Sequence, residues 1–443
     1  MKSTPSSSPI SRRKLLAALP LAGAVLGGGA GCGSGGGKTA VRYWNGFTGP
    51  DGRTMLRLVK RFNDENPDVQ VVMQRTEWGT HYNKLFVAGL GGRAPELCVI
   101  HSRTMQRFVQ AGFLRPNDDL IAGGGSTEAL DVADLDPNVW KRSEFEGRHY
   151  GLPLDVHTMG MYCNRRLFQQ AGLADSQGNI RMPTERAEFL DALQRMTRPG
   201  ASGQPGQWGY VFANWEANAY SFMRQFGGEF FTEDHSRCVM HNEGNVDALQ
   251  FCVDLIRRYR VAPPPENFDA WIGFRQGKVG ITAEGIYMLA DLQKQQDLDY
   301  TGAPIPLVGD QRATFADSHN LCLRADLKGP ELAATWRFVK FLSDNSLDWA
   351  EGGQIPVRRS LRATPRFSSM ELQSAFARQI PYVSYLPRMT FILEFLREFN
   401  LAIEMATRGR MSPPDALKAA EARINGIIAR EQRTAHWTPE EWA

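Results

Sequence analysis

Val41-Arg42-Tyr43-Trp44-Asn45-Gly46-Phe47-Thr48-Gly49-Pro50-Asp51-Gly52 is the stretch on which the fold turns. A short run of β-formers stops at Asn45-Gly46, and Pro50-Asp51-Gly52 then leads into a helix. Met55, Leu58, Val59 and Phe62 recur at i, i+3, i+4 and i+7, so their side chains share one helical face. That helix is expected to stop at Asn66, because Pro67 disfavours helical backbone in the residue before it. Val69 to Met73 reads as the next strand, and Tyr82, Leu85 and Phe86 mark a second helix. Leu97-Cys98-Val99-Ile100 is wholly apolar, the pattern of a strand buried on both faces. Strands alternating with amphipathic helices predict βαβ units and a mainly parallel sheet.

Upstream, Ser11-Arg12-Arg13-Lys14 precedes an apolar run from Leu15 to Leu26, and small residues follow up to Gly29-Ala30-Gly31-Cys32. This is the order of an export signal, too short and too interrupted by Pro20 to span a bilayer. The paired arginines resemble a twin-arginine leader. Small residues before Cys32 resemble a bacterial lipoprotein cleavage box, although Gly29 stands where that pattern usually has Leu. The resemblance implies removal of residues 1–31 and acylation of Cys32. The stretch 32–37 then forms a Gly/Ser tether.

The chain has 51 Lys and Arg against 48 Asp and Glu. Lys2, Arg12, Arg13 and Lys14 belong to the leader, which carries no acid, so the mature protein is close to neutral. No basic surplus remains for phosphate backbones, which argues against nucleic acid as a partner. The roughly 410 residues after the leader predict two domains or more. Cys98, Cys163, Cys238, Cys252 and Cys322 show no CxxC spacing and do not make a disulfide framework; a Cys238–Cys252 pair is left open. The histidines at 81, 101, 149, 157, 235, 241, 319 and 436 form no HxH or HxxxH pair, so no local metal signature exists and no cofactor is expected. The sequence contains neither a Walker loop nor a GxSxG elbow, so an ATPase would be a separate chain.

Further along, Tyr150 to Asp155 is extended, Met159 to Cys163 is a strand, and Arg165 to Ala171 is a helix capped by Gly172. Gly123–Ser126 and Pro199–Gly206 read as loops. Amphipathic helices are expected near Asn245–Tyr259, Glu331–Leu342 and Asp415–Ile428, the last with Leu417, Ala420, Ile424, Ile427 and Ile428 as its stripe.

Five stretches resemble the extracellular solute-binding proteins of the maltose-binding type, and occur in that family's order. They are Tyr43 to Gly52 with Val59-Lys60-Arg61-Phe62-Asn63, Gly92-Arg93-Ala94-Pro95-Glu96-Leu97, Leu152 to Thr158 with Met161 to Asn164, Phe274 to Thr282 running into Glu284-Gly285-Ile286, and Gly353-Gln354-Ile355-Pro356-Val357-Arg358. Glu96 stands where the family usually has Asp, and Ile286 where Pro is common. The resemblance implies an α/β, two-lobed type II periplasmic-binding-protein fold, each lobe a mainly parallel sheet flanked by helices, with a ligand cleft between the lobes. It places lobe one at 38–155 plus 306–345 and lobe two at 156–305 plus 346–443, with crossings near Asp155, Pro304–Pro306 and Asp344. It also implies a monomeric, exported receptor, lipid-anchored at Cys32, that hands a sugar or polyol to the permease subunits of an ABC importer without chemistry. A binder of a phosphorylated polyol, peptide or metal chelate on the same fold is the first alternative. A secreted glycosidase, which needs two carboxylates about a bond, is the second.

A sugar needs an aromatic wall for its C–H faces and planar polar groups for its hydroxyls. Candidates at strand ends and loops are Trp44, Glu77, Trp78, His101 and Ser102 in the first part of the chain. Asp155 and His157 lie at the first crossing. Trp215, Trp271, Gly285 and Tyr287 would serve from the second lobe, with His319 and Arg358 completing the set. Each has a structural alternative: core packing for the tryptophans, the hinge for Asp155, hydrogen-bonded burial for the histidines, a turn for Gly285 and an ion pair for Arg358.

Overall fold

A computed structural model describes residues 37–434 except 125–128, 199, 201–205 and 267. The leader, Cys32, His436, half of the 123–126 loop and most of the 199–206 loop lie outside the described residues. The strands are β1 (Thr39–Asn45), β2 (Val69–Arg75), β3 (Leu97–His101), β4 (Glu144–Phe145), β5 (Arg148–His149), β6 (Leu152–Pro153), β7 (Asp155–Asn164), β8 (Trp208–Phe212), β9 (Val279–Gly285), β10 (Tyr300–Ala303), β11 (Thr314–Asp317), β12 (His319–Leu323), β13 (Ile355–Pro356) and β14 (Val383–Ser384). One large sheet runs β2-β1-β3-β12-β6 and the other β14-β11-β7-β9-β8, with β10 and β13 also paired to β7, while β4 and β5 form a separate antiparallel pair. The two large sheets are the two lobes of a type II periplasmic-binding-protein fold.

Helix α1 (Asp51–Glu65) buries Met55, Leu58, Val59 and Phe62 against the first sheet. Asp51 in its first turn complements the helix dipole. Its end falls where Pro67 requires: the Asn66 side chain and backbone N–H both donate to the Phe62 carbonyl. β3 is buried at every position, between α1 and the helix Gly329–Asp344 on one face and α2 (Trp78–Leu90) and α3 (Ser102–Gln110) on the other. In the second lobe, the stripe Leu417, Ala420, Ile424, Ile427 and Ile428 closes the core, each residue at most 5% exposed. Burying one such side chain contributes about 1.5–3 kcal/mol.

The parallel pairs are β1/β2, β1/β3, β8/β9 and β11/β14. The strands beside the crossings, β7 and β12, run antiparallel to β9, β11 and β3. A strand entering directly from the other lobe needs no crossover helix, so it can join in that sense.

The chain passes from the first sheet to the second between Pro153 and Asp155. It returns between Asp317 and His319, and not at Pro304–Pro306 as the sequence suggested. Those prolines end β10, but the segment stays on the second lobe: the Ile305 N–H donates to Gln379 Oε1 at 2.9 Å, and Gln225 Nε2 donates to the Pro306 carbonyl at 3.1 Å. The last passage also differs from the expectation at Asp344. Residues 346–352 still pack on α1, and the chain reaches β7 only at Ile355, after Gly353 turns with φ +108°. All five described cysteines are free and buried, so Cys238 and Cys252 are not joined. Among the described residues, no helix is long and apolar enough to cross a membrane.

Candidate functional site

β1 and β3 of the first sheet and β8 and β9 of the second point their carboxyl ends at a common hollow of about 450 Å³. Open α/β sheets place their ligands at such ends. The first lobe lines it with the Gly46–Asp51 loop, Trp78, Tyr82, His101, Arg103 and His319. The second lines it with His157, Asn214, Glu216, Ala217, Tyr287, Met288 and Phe315. Another hollow, about 650 Å³ and more open, lies over α1 near Arg57, Lys294 and Glu371, away from the strand ends.

Trp78 is the first residue of α2, which Glu77 caps by accepting from the Gly79 and Thr80 N–H groups. The indole packs edge-on to Phe47 at 5.5 Å and near-parallel to His319 at 5.4 Å. It lies so close over Gly46 that a Cβ there would stand 2.0 Å from Cδ2 of the ring. Beneath it, Phe47 touches His319 and Trp349 at centroid distances of 4.8 and 4.9 Å. Phe47, His319 and Gly46 therefore hold the indole in place.

Asp155 is 0% exposed and ties the two lobes together below that wall. Its carboxylate accepts from Trp349 Nε1 (2.7 Å), His319 Nδ1 (2.8 Å), the His319 backbone N–H (3.2 Å) and His157 Nδ1 (3.3 Å). Burial alone would push this carboxyl up, but His319 and then His157 pull it below the ordinary carboxylate range. Burial lowers His157, and lowers His101 still further with His319 and Arg103 adding to the effect. His101 is hydrogen-bonded through Nδ1 to the Tyr82 hydroxyl.

The second wall is polar. Asn214 caps the helix Trp215–Gln225 and donates to the Tyr287 hydroxyl at 3.1 Å. That hydroxyl donates to Glu284 Oε1 at 2.9 Å, and the Gly285 N–H donates to the same oxygen at 2.7 Å. Burial raises Glu284 above its ordinary value. Across the cleft, Arg103 reaches Glu216 and Asp317, each at 3.3 Å. Burial works against its charge, and the two carboxylates more than offset this.

Of the residues singled out in the sequence, Trp78, His101, His157, Tyr287 and His319 line the hollow. The others lie elsewhere. Trp44 sits under Lys84, 3.9 Å from its ring, and packs with the α2/α3 face. Glu77 is an exposed cap. Ser102 accepts from Asn320 at 2.9 Å. Asp155 is wholly buried and bonded to His157 and His319. Trp215 stacks on Phe212 at 4.0 Å, and Trp271 donates to Asp291 at 2.8 Å. Gly285 contributes backbone to the Glu284 network, and Arg358 is paired with Asp134 and Asp344. Arg103, Asn214, Glu216 and Phe315 are lining residues that sequence reasoning passed over. The helix-capping Asn214 was a legible signal.

The chain resembles known proteins along its length. It is 22% identical over 372 residues to the maltotriose-binding protein of Pyrococcus abyssi, covering 81% of this chain and 74% of that one. To the mannitol-binding protein of Pseudomonas aeruginosa it is 26% identical over 426 residues, covering 86% and 90%. A solved ABC substrate-binding protein of Listeria monocytogenes in complex with cycloalternan superposes with a TM-score of 0.77 at 20% identity, over 89% of this chain and all of that one. The profile of the family described as bacterial extracellular solute-binding protein matches residues 47–346, and this chain belongs to that family.

Proposed function

We propose that the protein captures a neutral sugar or polyol in the cleft between its lobes and delivers it to the permease of an ABC importer, with no chemistry on the solute. The observation that carries this reading is the pairing of unlike walls. The half-buried indole of Trp78 lines one hollow together with Asn214, Glu216 and Tyr287, and Arg103 is paired there with Glu216. An aromatic face takes the C–H side of a pyranose, while amide, carboxylate and guanidinium groups take its hydroxyls. A volume of about 450 Å³ is that of a small-molecule site. Relatives whose names specify maltotriose and mannitol support the same solute class.

The charge balance favours a neutral solute over a phosphorylated one. Arg103 is already matched by Glu216 and Asp317, Asp51 lines the same hollow, and Arg358 is paired outside it. A phosphate would meet more acid than base there. Ligand contacts are assigned to Trp78, His101, Arg103, His157, Asn214, Glu216, Tyr287 and His319. Closure would hinge at the three strand passages, near Leu154, Ser318 and Gly353. In this reading the leader directs export, acylated Cys32 tethers a monomer to the outer face of the cytoplasmic membrane, and the 32–37 tether lets it turn.

The test is thermal stability of the protein against a library of neutral sugars, polyols and sugar phosphates. A ligand specific to the folded state raises the melting temperature by mass action. The expected result is a rise with one neutral class and recovery of that solute unchanged. A rise only with phosphorylated compounds, or conversion of the solute to product, would contradict the proposal.

A further inference from the structure

Three histidines distant in sequence meet at the floor of the cleft. His101 ends β3, His157 lies near the start of β7, and His319 opens β12. One ring nitrogen of each lies within 4.8 Å of those of the other two, and all three residues are buried. The ring hydrogen bonds they make, among the described residues, all run through Nδ1. His319 donates to both oxygens of Asp155 at 2.8 and 3.1 Å, His157 donates to Asp155 at 3.3 Å, and His101 pairs with Tyr82.

An imidazole that donates from Nδ1 to a carboxylate keeps the Nε2 lone pair for a ligand, with the ring orientation fixed from behind. Two rings here share one such carboxylate, and the third presents Nε2 in the tautomer whose Nδ1–H donates to the Tyr82 oxygen, which also accepts the His101 backbone N–H at 3.4 Å. The local charge suits a cation: Arg103 is matched by Glu216 and Asp317, which leaves the wholly buried Asp155 and the hollow-lining Asp51 as acidic groups.

We propose that His101, His157 and His319 form a three-nitrogen site for a divalent transition metal, zinc foremost, with Asp155 and Tyr82 as positioning residues. Zinc–nitrogen bonds of about 2.0–2.1 Å place tetrahedral ligands roughly 3.4 Å apart, so the three rings close in from their spacing of within 4.8 Å when they share one ion. The fourth position opens on the hollow that all three histidines line, where an oxygen of the solute or a water completes the shell. This site does not depend on the identity of the solute: metal binding and sugar binding are read by different signals, and either can fail alone.

The experiment uses the full chain without affinity histidines, stripped with chelator and titrated with Co²⁺. The expected result is one ion per chain, visible absorption of a four- or five-coordinate Co²⁺, and displacement by Zn²⁺. His101→Gln and His319→Gln are expected to weaken binding by about 100-fold or more, and Tyr82→Phe by about 10-fold. His149→Gln, whose ring stacks on Trp140 at 3.9 Å away from the cluster, should leave it unchanged. The wild-type titration needs no variant to fold, and thermal melts report the folding of each variant. Absence of the Co²⁺ bands in the wild type, or bands that survive in folded His101→Gln and His319→Gln, would overturn the proposal.

Discussion

Asp155 and Glu284 are buried carboxylates on neighbouring strands, β7 and β9, behind one cleft, and their surroundings drive them in opposite directions. Asp155 accepts from an indole, two imidazoles and a backbone N–H, and is held below the ordinary range. Glu284 accepts from one backbone N–H and one tyrosine hydroxyl, and burial raises it. The first wall is a carboxylate locked under aromatic packing. The second is a short polar chain, Asn214 to Tyr287 to Glu284. The first wall is held by aromatic packing, and the second by hydrogen bonds among its own side chains.

Loss of the Asp155 carboxylate is expected to have the largest effect. Asp155→Ala strands the buried indole and imidazole N–H groups, and a loss of about 3–5 kcal/mol is expected from urea midpoints. Glu284→Gln keeps an acceptor and should cost under about 1 kcal/mol; equal losses would show that the two walls do not differ. Trp78→Ala removes the aromatic face, and solute affinity by calorimetry should fall about 100-fold with the fold intact. Gly46→Ala forces the indole aside because no space exists for a Cβ. About 10-fold weaker binding is expected, and unchanged affinity would mean that the ring position is unimportant.

A smaller effect separates the carboxylates by pH. Asp155, depressed in the fold, contributes stability that is present above its unfolded pKa, about 3.9, and lost as pH falls through the lower folded value. Glu284, raised in the fold, contributes stability present below its unfolded pKa, about 4.3, and lost as pH rises through its folded value. Glu284→Gln should therefore remove part of the wild-type decline above that range, by about 1 kcal/mol or less, in urea midpoints taken from pH 4 to pH 8. Arg358→Ala is expected to change solute affinity less than about 2-fold, because both partners of Arg358 lie outside the hollow.

The helices and strands were legible because their signals are local. The spacing of Met55 to Phe62, the wholly apolar 97–100 run and the Asn66-Pro67 stop each act over a few residues. The return crossing was misplaced because Pro304 and Pro306 end a strand without leaving the lobe, and only the Gln225 and Gln379 side chains reveal that. At the site, Trp78 and His101 were readable as strand-end residues. Trp44 also sits at a strand end, but its ring lies on the α2/α3 face of the sheet. Around Trp215 the aromatic drew attention while its neighbours Asn214 and Glu216 line the hollow. Arg103 sits in the first turn of α3 and reads as an ordinary surface charge until Asp317 and Glu216 are brought to it. The three histidines share no spacing pattern, because three different strands deliver them.

Calorimetric titration of the neutral solute identified by thermal shift, into wild type and Trp78→Ala side by side, tests the assignment of this cleft most directly. One solute per wild-type chain and about 100-fold weaker binding in the variant are expected. Equal affinity in the two proteins would place the solute site elsewhere and contradict it.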